Sequence, residues 1–245
     1  MVIGVIPARL RSTRFPEKIL APIAGKPLVA HVMERALAAE RLERVVLAID
    51  SSKTEEVLKE YKFDIVMTDS NHSSGTDRVA EVIQGIEDAE IVINIQGDGP
   101  LVDPKVIDGM VDTFNDSKVM MSTVVTRKLT VSDLLNPNVV KAILDEELNA
   151  IEFKRNIFDL EIGGVYRHIG MYGFRRNALF QFTLLKPSER EIERSLEQMR
   201  ALDNGLPIRA LIANCDHWAV DTKEDLEKVA KMMDDTESET IEQDA

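Results

Sequence analysis

Four short apolar runs in the first hundred residues constrain this chain more than any other feature. They are Val2–Ile6, "RVVLAID" ending in Asp50, "DIVMT", and "EIVINIQGD" ending in Asp98. Helical spacing fills the gaps between them. Leu28–Ala39 places Leu28, Val29, Val32, Met33, Ala36 and Leu37 on one face, and Thr54–Tyr61 and Asp77–Ile86 also read as helices. Strands joined by amphipathic helices imply right-handed βαβ units and a parallel sheet. The first half is therefore expected to be a doubly wound α/β fold.

The second half changes character. "KVMMSTVVT", "NVVKAILD", "NAIEFKR" and "YRHIGMYGFR" follow one another closely, as antiparallel strands added to one side of the sheet would. Asn177–Leu185 and Ser188–Asp203 read as helices, "PIRALIA" as a strand and Thr222–Met233 as the last helix. No internal repeat or linker interrupts the chain, so residues 1–233 are expected to form one domain. The acidic stretch 234–245 is expected to be a disordered tail.

Charge narrows the function. The 245 residues carry 43 acids against 30 bases, a net charge of −13. Such acidity disfavours general nucleic-acid binding, which needs basic surface. Yet "VIPARLRSTRFPEKIL" places Arg9, Arg11, Arg14 and Lys18 straight after the first strand. The N-terminal apolar run is too short for a signal peptide, and no apolar stretch approaches the ~20 residues of a membrane span. Cys215, the single cysteine, excludes an intrachain disulfide. The expected setting is the cytoplasm.

Ligands of open parallel sheets bind beyond the carboxyl ends of the strands. Three segments fall there: the basic loop, "HSSGTDR" and "QGDGP". The basic loop reads either as a phosphate cradle or as an ordinary solvated loop. Neither G-x-G-x-x-G nor G-x-x-x-x-G-K-[ST] follows the first strand, which argues against a dehydrogenase or a P-loop enzyme. Asp98 could hold Mg²⁺ together with water and ligand phosphates. It could also cap the helix starting near Pro104, although Asp103 fits that role better. Asp221 is a candidate second carboxylate, or else the N-cap of the last helix with Glu224 completing a capping box. Ser74, Gly75 and Thr76 are small enough to let the backbone approach a flat base, with Arg78 beside them, but a simple turn and helix cap would use the same residues. The four histidines, His31, His72, His168 and His217, lack metal-ligand spacing.

Taken in order, "IPARLRSTRFPEKILAPIAGKPLVAHVMERA", "SGTDR", "INIQGDGPLV", "NPNVVKAILD", "RHIGMYGFRR", "SLEQMRAL" and "VDTKEDLEKV" resemble the 3-deoxy-manno-octulosonate (KDO) cytidylyltransferase family, the CMP-KDO synthetases. The resemblance runs from Ile3 to about Val229. Other nucleotidyltransferases share the opening pattern, but the ordered set is specific.

The resemblance implies a CTP-binding half over about 1–118, and a sugar-binding and dimerisation side over about 119–215. It places Arg9 and Lys18 on the triphosphate. The backbone of Pro7, Ala8 and Arg9, with Ser74, Gly75, Thr76 and Arg78, would frame the cytosine. Asp98 and Asp221 match the family's magnesium ligands. Gln96, Arg155, His168, Tyr172, Glu197 and Gln198 match positions lining the sugar-acid pocket, with Arg155 suited to the substrate carboxylate. The implied reaction is attack of the anomeric hydroxyl of a 3-deoxy-ulosonic acid on the α-phosphorus of CTP, releasing pyrophosphate, in lipopolysaccharide biosynthesis. A homodimer is also implied.

The sequence departs from the family pattern on the acceptor side. Gly99 stands where a Glu is usual, "IEFKRN" replaces a typical Tyr-Phe-Ser-Arg-Ala, and the stretch from Arg155 to His168 is short and lacks an Ile-Pro-Trp segment. A modified KDO is therefore an open alternative acceptor. Two further alternatives are a CMP-sugar synthetase for another acid sugar and a nucleotide-binding homologue with weakened turnover. The Gly-Gly-Ser-Lys-like opening of sialic-acid enzymes and the G-x-G-x-R-L opening of sugar-1-phosphate enzymes are both absent.

Overall fold

The computed structural model of the chain describes every residue except 13, 158–163, 217–218 and 244–245, with side chains described up to residue 233. His217 and most of the shortened acceptor-side segment thus lie outside the described residues.

The first half runs β1 (Val2–Ala8), the small hairpin β2 (Pro22–Ile23) and β3 (Lys26–Pro27), α1 (Leu28–Leu37), β4 (Arg44–Ile49), α2 (Ser52–Leu58), β5 (Ile65–Met67), α3 (Gly75–Gln84), β6 (Ile91–Asn94) and α4 (Pro104–Asp112). The second half continues with β7 (Met121–Thr126), α5 (Val131–Leu135), β8 (Lys141–Leu144), β9 (Ala150–Lys154), β10 (Val165–Arg175), α6 (Arg176–Leu184), α7 (Glu189–Arg194), α8 (Met199–Asp203), β11 (Ile208–Ala213) and α9 (Lys223–Gln243).

The main sheet has the order β11-β7-β10-β6-β1-β4-β5, with β8 and β9 carried on the side of β10. The pairs β1/β4, β1/β6, β4/β5 and β7/β11 are parallel, whereas β10 is antiparallel to β6, β7 and β8. This is the expected α/β architecture with an antiparallel extension.

Residues of β1 show why both faces of the sheet are apolar. Ile3 and Val5 pack into one core with Val79, Ile83 and Phe182, while Ile6 and Ala8 pack into the other with Val29, Met33 and Met110. Successive residues of a strand point to opposite faces, so a strand covered by helices on both sides must be apolar throughout.

Three elements differ from the sequence expectation. The helix read over Ser188–Asp203 is broken into α7 and α8, because Ser195 takes the left-handed conformation (φ 52°) that closes α7. The helix read as ending at Met233 continues to Gln243. The short helix α5, with its Thr130–Asp133 capping box, had no counterpart in the sequence reading.

Candidate active site

The three loops singled out in the sequence meet at one polar cleft beyond the carboxyl ends of β1, β5 and β6, which Asp221 also lines. The loops back closely onto one another. A Cβ at Gly97 would sit 3.0 Å from the Pro7 carbonyl oxygen, so any larger residue would have to push apart the two segments that cross there.

In the basic loop, Phe15 and Ile19 are buried in the core against α1. These two anchors pin the chain around the tight turn Lys18–Leu20 and aim Lys18 into the cleft. Its Nζ donates to Asp98 Oδ2 at 2.8 Å and to Asp221 Oδ1 at 3.2 Å. Arg14 Nη2 reaches the same Asp221 oxygen at 3.1 Å. Two carboxylates far apart in sequence therefore converge on one position that holds positive charge. Val220 N–H donating to the Asp98 carbonyl at 2.9 Å joins the two loops through the backbone. Arg9 lines the same cleft, exposed to solvent.

The capping alternatives now separate from the metal reading. Asp103 caps α4 by accepting from Lys105 N–H at 2.9 Å. The last helix is capped by Thr222 and Asp225, not by Asp221 and Glu224: Thr222 Oγ1 accepts from Asp225 N–H at 3.2 Å, and Asp225 Oδ2 accepts from Thr222 N–H at 3.0 Å. Both Asp98 and Asp221 are thereby released for the cleft.

The "SSGTDR" segment opens α3. Ser74 caps it, accepting from Asp77 N–H at 3.1 Å, and a Cβ at Gly75 would lie 3.3 Å from the Pro7 ring. Arg78 plays a scaffolding part. Only 3% exposed, it donates to Thr68 Oγ1 and, at 3.1 Å, to Asp50 Oδ2. Asp50 Oδ1 in turn accepts from Leu10 N–H at 2.9 Å. The buried pair thus fixes the root of the basic loop to α3. Asp50 and Arg14 were noted in the sequence but given no individual role; an aspartate closing an apolar strand beside a ligand cleft was the available signal.

The expected acceptor residues gather beside α3. Thr76 Oγ1 donates to Glu197 Oε2 at 2.7 Å. Burial raises the Glu197 carboxyl above its ordinary pKa, partly opposed by hydrogen bonds from Thr76 and Ser74. Burial, with Glu197 nearby, likewise pushes the Tyr172 phenol well up. Thr123 donates its one hydroxyl proton to Met171 O at 2.9 Å, so His168 Nε2, 2.9 Å from Thr123 Oγ1, must be the donor in that contact. The break between α7 and α8 turns Glu197 and Gln198 inward. Gln96 lines the nucleotide cleft and abuts Gly170 of β10.

Several buried polar atoms here have no protein partner: Glu197 Oε1, Gln198 Nε2 and Asn94 Oδ1. Buried polar groups without partners are costly. Asn94 was missed in the sequence, although an Asn within the apolar run "IVINI" was a visible exception. Arg155 lies apart from this group. Its Nε, Nη1 and Nη2 donate to the carbonyls of Arg194, Pro137 and Ser195 at 2.7, 2.9 and 2.9 Å. The structure therefore shows it bracing backbone.

A mainly parallel sheet, with a basic cleft and paired carboxylates at the carboxyl ends of its strands, defines an α/β nucleotidyltransferase. The family model for cytidylyltransferases matches residues 3–211. A Chloroherpeton thalassium protein named 3-deoxy-manno-octulosonate cytidylyltransferase is 41% identical over 238 residues, covering 94% of this chain and 96% of that one. This chain belongs to the cytidylyltransferase family, among the 3-deoxy-manno-octulosonate cytidylyltransferases. A second relative of that name, from Geobacter metallireducens, is 38% identical over 248 residues, covering 95% of this chain and 97% of that one. The solved structure of a CMP:2-keto-3-deoxy-manno-octonic acid synthetase complexed with CTP superposes with a TM-score of 0.90 at 32% identity, covering 96% of this chain and 99% of that one.

Proposed function

We propose that this enzyme transfers CMP from CTP to KDO or a modified KDO, releasing pyrophosphate, and so activates the sugar acid for lipopolysaccharide biosynthesis. The observation that carries the reading is the convergence of Asp98 and Asp221 on Lys18 inside a cleft lined by Arg9 and Arg14. A triphosphate brings negative charge to that cleft, and these cations neutralise it. The N-terminus of α3 adds partial positive charge and backbone N–H groups at the same wall.

The paired carboxylates also fit a magnesium ion. Mg²⁺ takes one or two carboxylates together with phosphate oxygens and water, and these two already converge on a cation. Among the described residues no cluster of three or more His, Cys, Asp or Glu forms a metal site, so the nucleotide would supply the remaining ligands. When bound, Mg²⁺ supplies charge neutralisation at the phosphates and lowers the pKa of a nearby hydroxyl. The chain's own contribution is positioning. Lys18 and Arg9 hold the phosphates, and the unpartnered oxygens and amide of Asn94, Glu197 and Gln198 orient the sugar hydroxyls.

A pyrophosphate-release assay with CTP, Mg²⁺ and a panel of 3-deoxy-ulosonic acids tests this reading, with turnover of KDO or a substituted KDO as the expected result. No turnover with any acid in the panel would remove it. Substituted acids belong in the panel because nothing stands within 4 Å of a Cβ at Gly99, leaving space beside Asp98.

CTP is expected to be used in preference to UTP and ATP. The backbone of Pro7–Arg9 and the Ser74–Thr76 turn would frame the base, and a wrong base leaves their polar groups unpaired. Equal turnover with UTP would contradict this.

We also infer a homodimer working in the cytoplasm. Val131 and Leu135 of α5 and Ile151 of β9 are exposed apolar side chains on the antiparallel extension, where a second copy would cover them. No helix among the described residues is long and apolar enough to cross a membrane. Light scattering at micromolar concentration should give twice the chain mass; the mass of one chain would overturn the dimer.

A further inference from the structure

Lys141 has 0% exposure, yet it brings an ammonium to the first position of strand β8. Among the described residues it forms no ion pair with a carboxylate, although the Asp133 carboxylate is close enough to favour its charge. Its Nζ donates to the backbone carbonyls of Val139 at 2.6 Å, Asp133 at 2.9 Å and Asn136 at 3.0 Å, and to that of Arg155. Four carbonyl oxygens around one buried positive charge resemble the ligand set of a bound alkali cation, supplied here by a tethered ammonium. Two of them, from Asp133 and Asn136, belong to the end of α5, where they also accept from Asn136 N–H and Val139 N–H at 3.2 and 3.1 Å.

The carbonyls come from two segments, 133–139 and the end of β9 near Arg155, which Ile157 N–H also joins by donating to Leu134 O at 3.0 Å. Arg155 closes the clamp from the other side, donating to Pro137 O in the same loop. It also grips Arg194 O and Ser195 O, at the break that turns Glu197 inward to Thr76. A continuous chain of contacts therefore runs from Lys141 through Arg155 to the wall of the acceptor pocket.

We propose that Lys141 is a positioning residue for the acceptor: its ammonium gathers the 133–139 loop and Arg155, and through them sets Glu197 and Gln198. This chain of contacts reaches the base-framing turn only at its last step, from Glu197 to Thr76, so the acceptor side feels the loss first. The proposal rests on the assignment of the acceptor pocket given above.

Lys141→Met keeps the length of the side chain and removes the charge. It should raise the KM for KDO on the order of tenfold or more, the scale of a misplaced pocket, while the KM for CTP changes less than about twofold. Amide hydrogen exchange should quicken at 133–139, 155–157 and 194–198 and stay unchanged in α1 and β1. Lys141→Ala leaves space for the missing group, and n-propylammonium should restore slow exchange and thermal stability where n-propanol does not.

An unchanged KDO KM in folded Lys141→Met, or an equal loss for CTP, would overturn the proposal. So would exchange in the three segments that matches wild type, or failure of n-propylammonium to act on Lys141→Ala. If Lys141→Met does not fold, Lys141→Ala with and without the amine decides. Exchange and amine rescue need no turnover, so they stand even if the wild type rejects KDO, a result that removes only the acceptor assignment.

Discussion

Asp98→Asn and Asp221→Asn should each lower kcat by on the order of 10²-fold or more, the scale of losing a positioned electrostatic group. Each substitution keeps the shape of the side chain but withdraws one of the two negative charges that converge at Lys18. A cation site built from two carboxylates fails when either is lost, so the double variant should be little worse than a single one. Stability should barely change in Asp221→Asn, because Thr222 and Asp225 carry the helix cap. Each variant also withdraws one charged oxygen ligand from the proposed magnesium site, so calorimetric Mg²⁺ binding in the presence of CTP should weaken in both. Had these aspartates been helix caps only, kcat would stay near normal in both variants, asparagine itself being a good cap. Wild-type turnover in either single variant would dispose of the paired-carboxylate site.

The second large effect concerns stability and comes from Arg78. Its side chain is 3% exposed and that of its partner Asp50 9%. Arg78→Met leaves Asp50 as an uncompensated buried charge, a class of change that costs about 3–5 kcal/mol. At ~2–4 °C per kcal/mol for a chain of this size, the melting temperature should fall by roughly 10 °C. Because Asp50 also accepts from Leu10 N–H, the basic loop should loosen and the KM for CTP should rise. Arg78→Met with Asp50→Asn should recover part of the lost stability, since the stranded charge is gone while an acceptor for Leu10 remains. A fall of less than about 2 °C in Arg78→Met would show that the pair does not hold the loop.

These two predictions treat residues that looked alike in the sequence. Arg78 was grouped with the CTP contacts, and the structure places it beneath the cleft as a tie. Arg155 was expected at the substrate carboxylate, and the structure engages it with three backbone carbonyls. In both cases the residue type and its neighbourhood were legible, but the direction of the guanidinium was not. An arginine has five donors and a long flexible stem, and its targets here are carbonyls and a carboxylate brought from distant segments.

The nucleotide half was legible because its signals are local. Apolar runs of strand length, helices with one apolar face and polar turns at the strand ends follow from the period of each element, and these already place a cleft at the carboxyl ends. Ser74, Gly75 and Thr76 were read as small residues that let the backbone approach a base; the structure sets Gly75, and with it Gly97, against Pro7.

The acceptor side was less legible, since its geometry depends on interruptions. Ser188–Asp203 has the composition of one helix, yet Ser195 takes a left-handed conformation that Arg155 helps to hold from another strand, and only that break brings Glu197 to Thr76. Lys141 sat in a quoted motif without any assigned role, because a lysine in an apolar strand gives no sign of four carbonyls waiting for it.

By itself, then, the sequence determined the α/β class, the position of the cleft and the chemistry gathered there: basic loop, two aspartates, small turn. Those are properties of short stretches, and hydrophobic period and residue type decide them. The tertiary structure alone decided which charges meet. Asp98 and Asp221 become one site because Val220 N–H, just before α9, donates to the Asp98 carbonyl after β6 at 2.9 Å, with Lys18 between the two carboxylates. Pairing of that kind depends on distances of a few ångströms between segments far apart in the chain, and no local pattern encodes such distances.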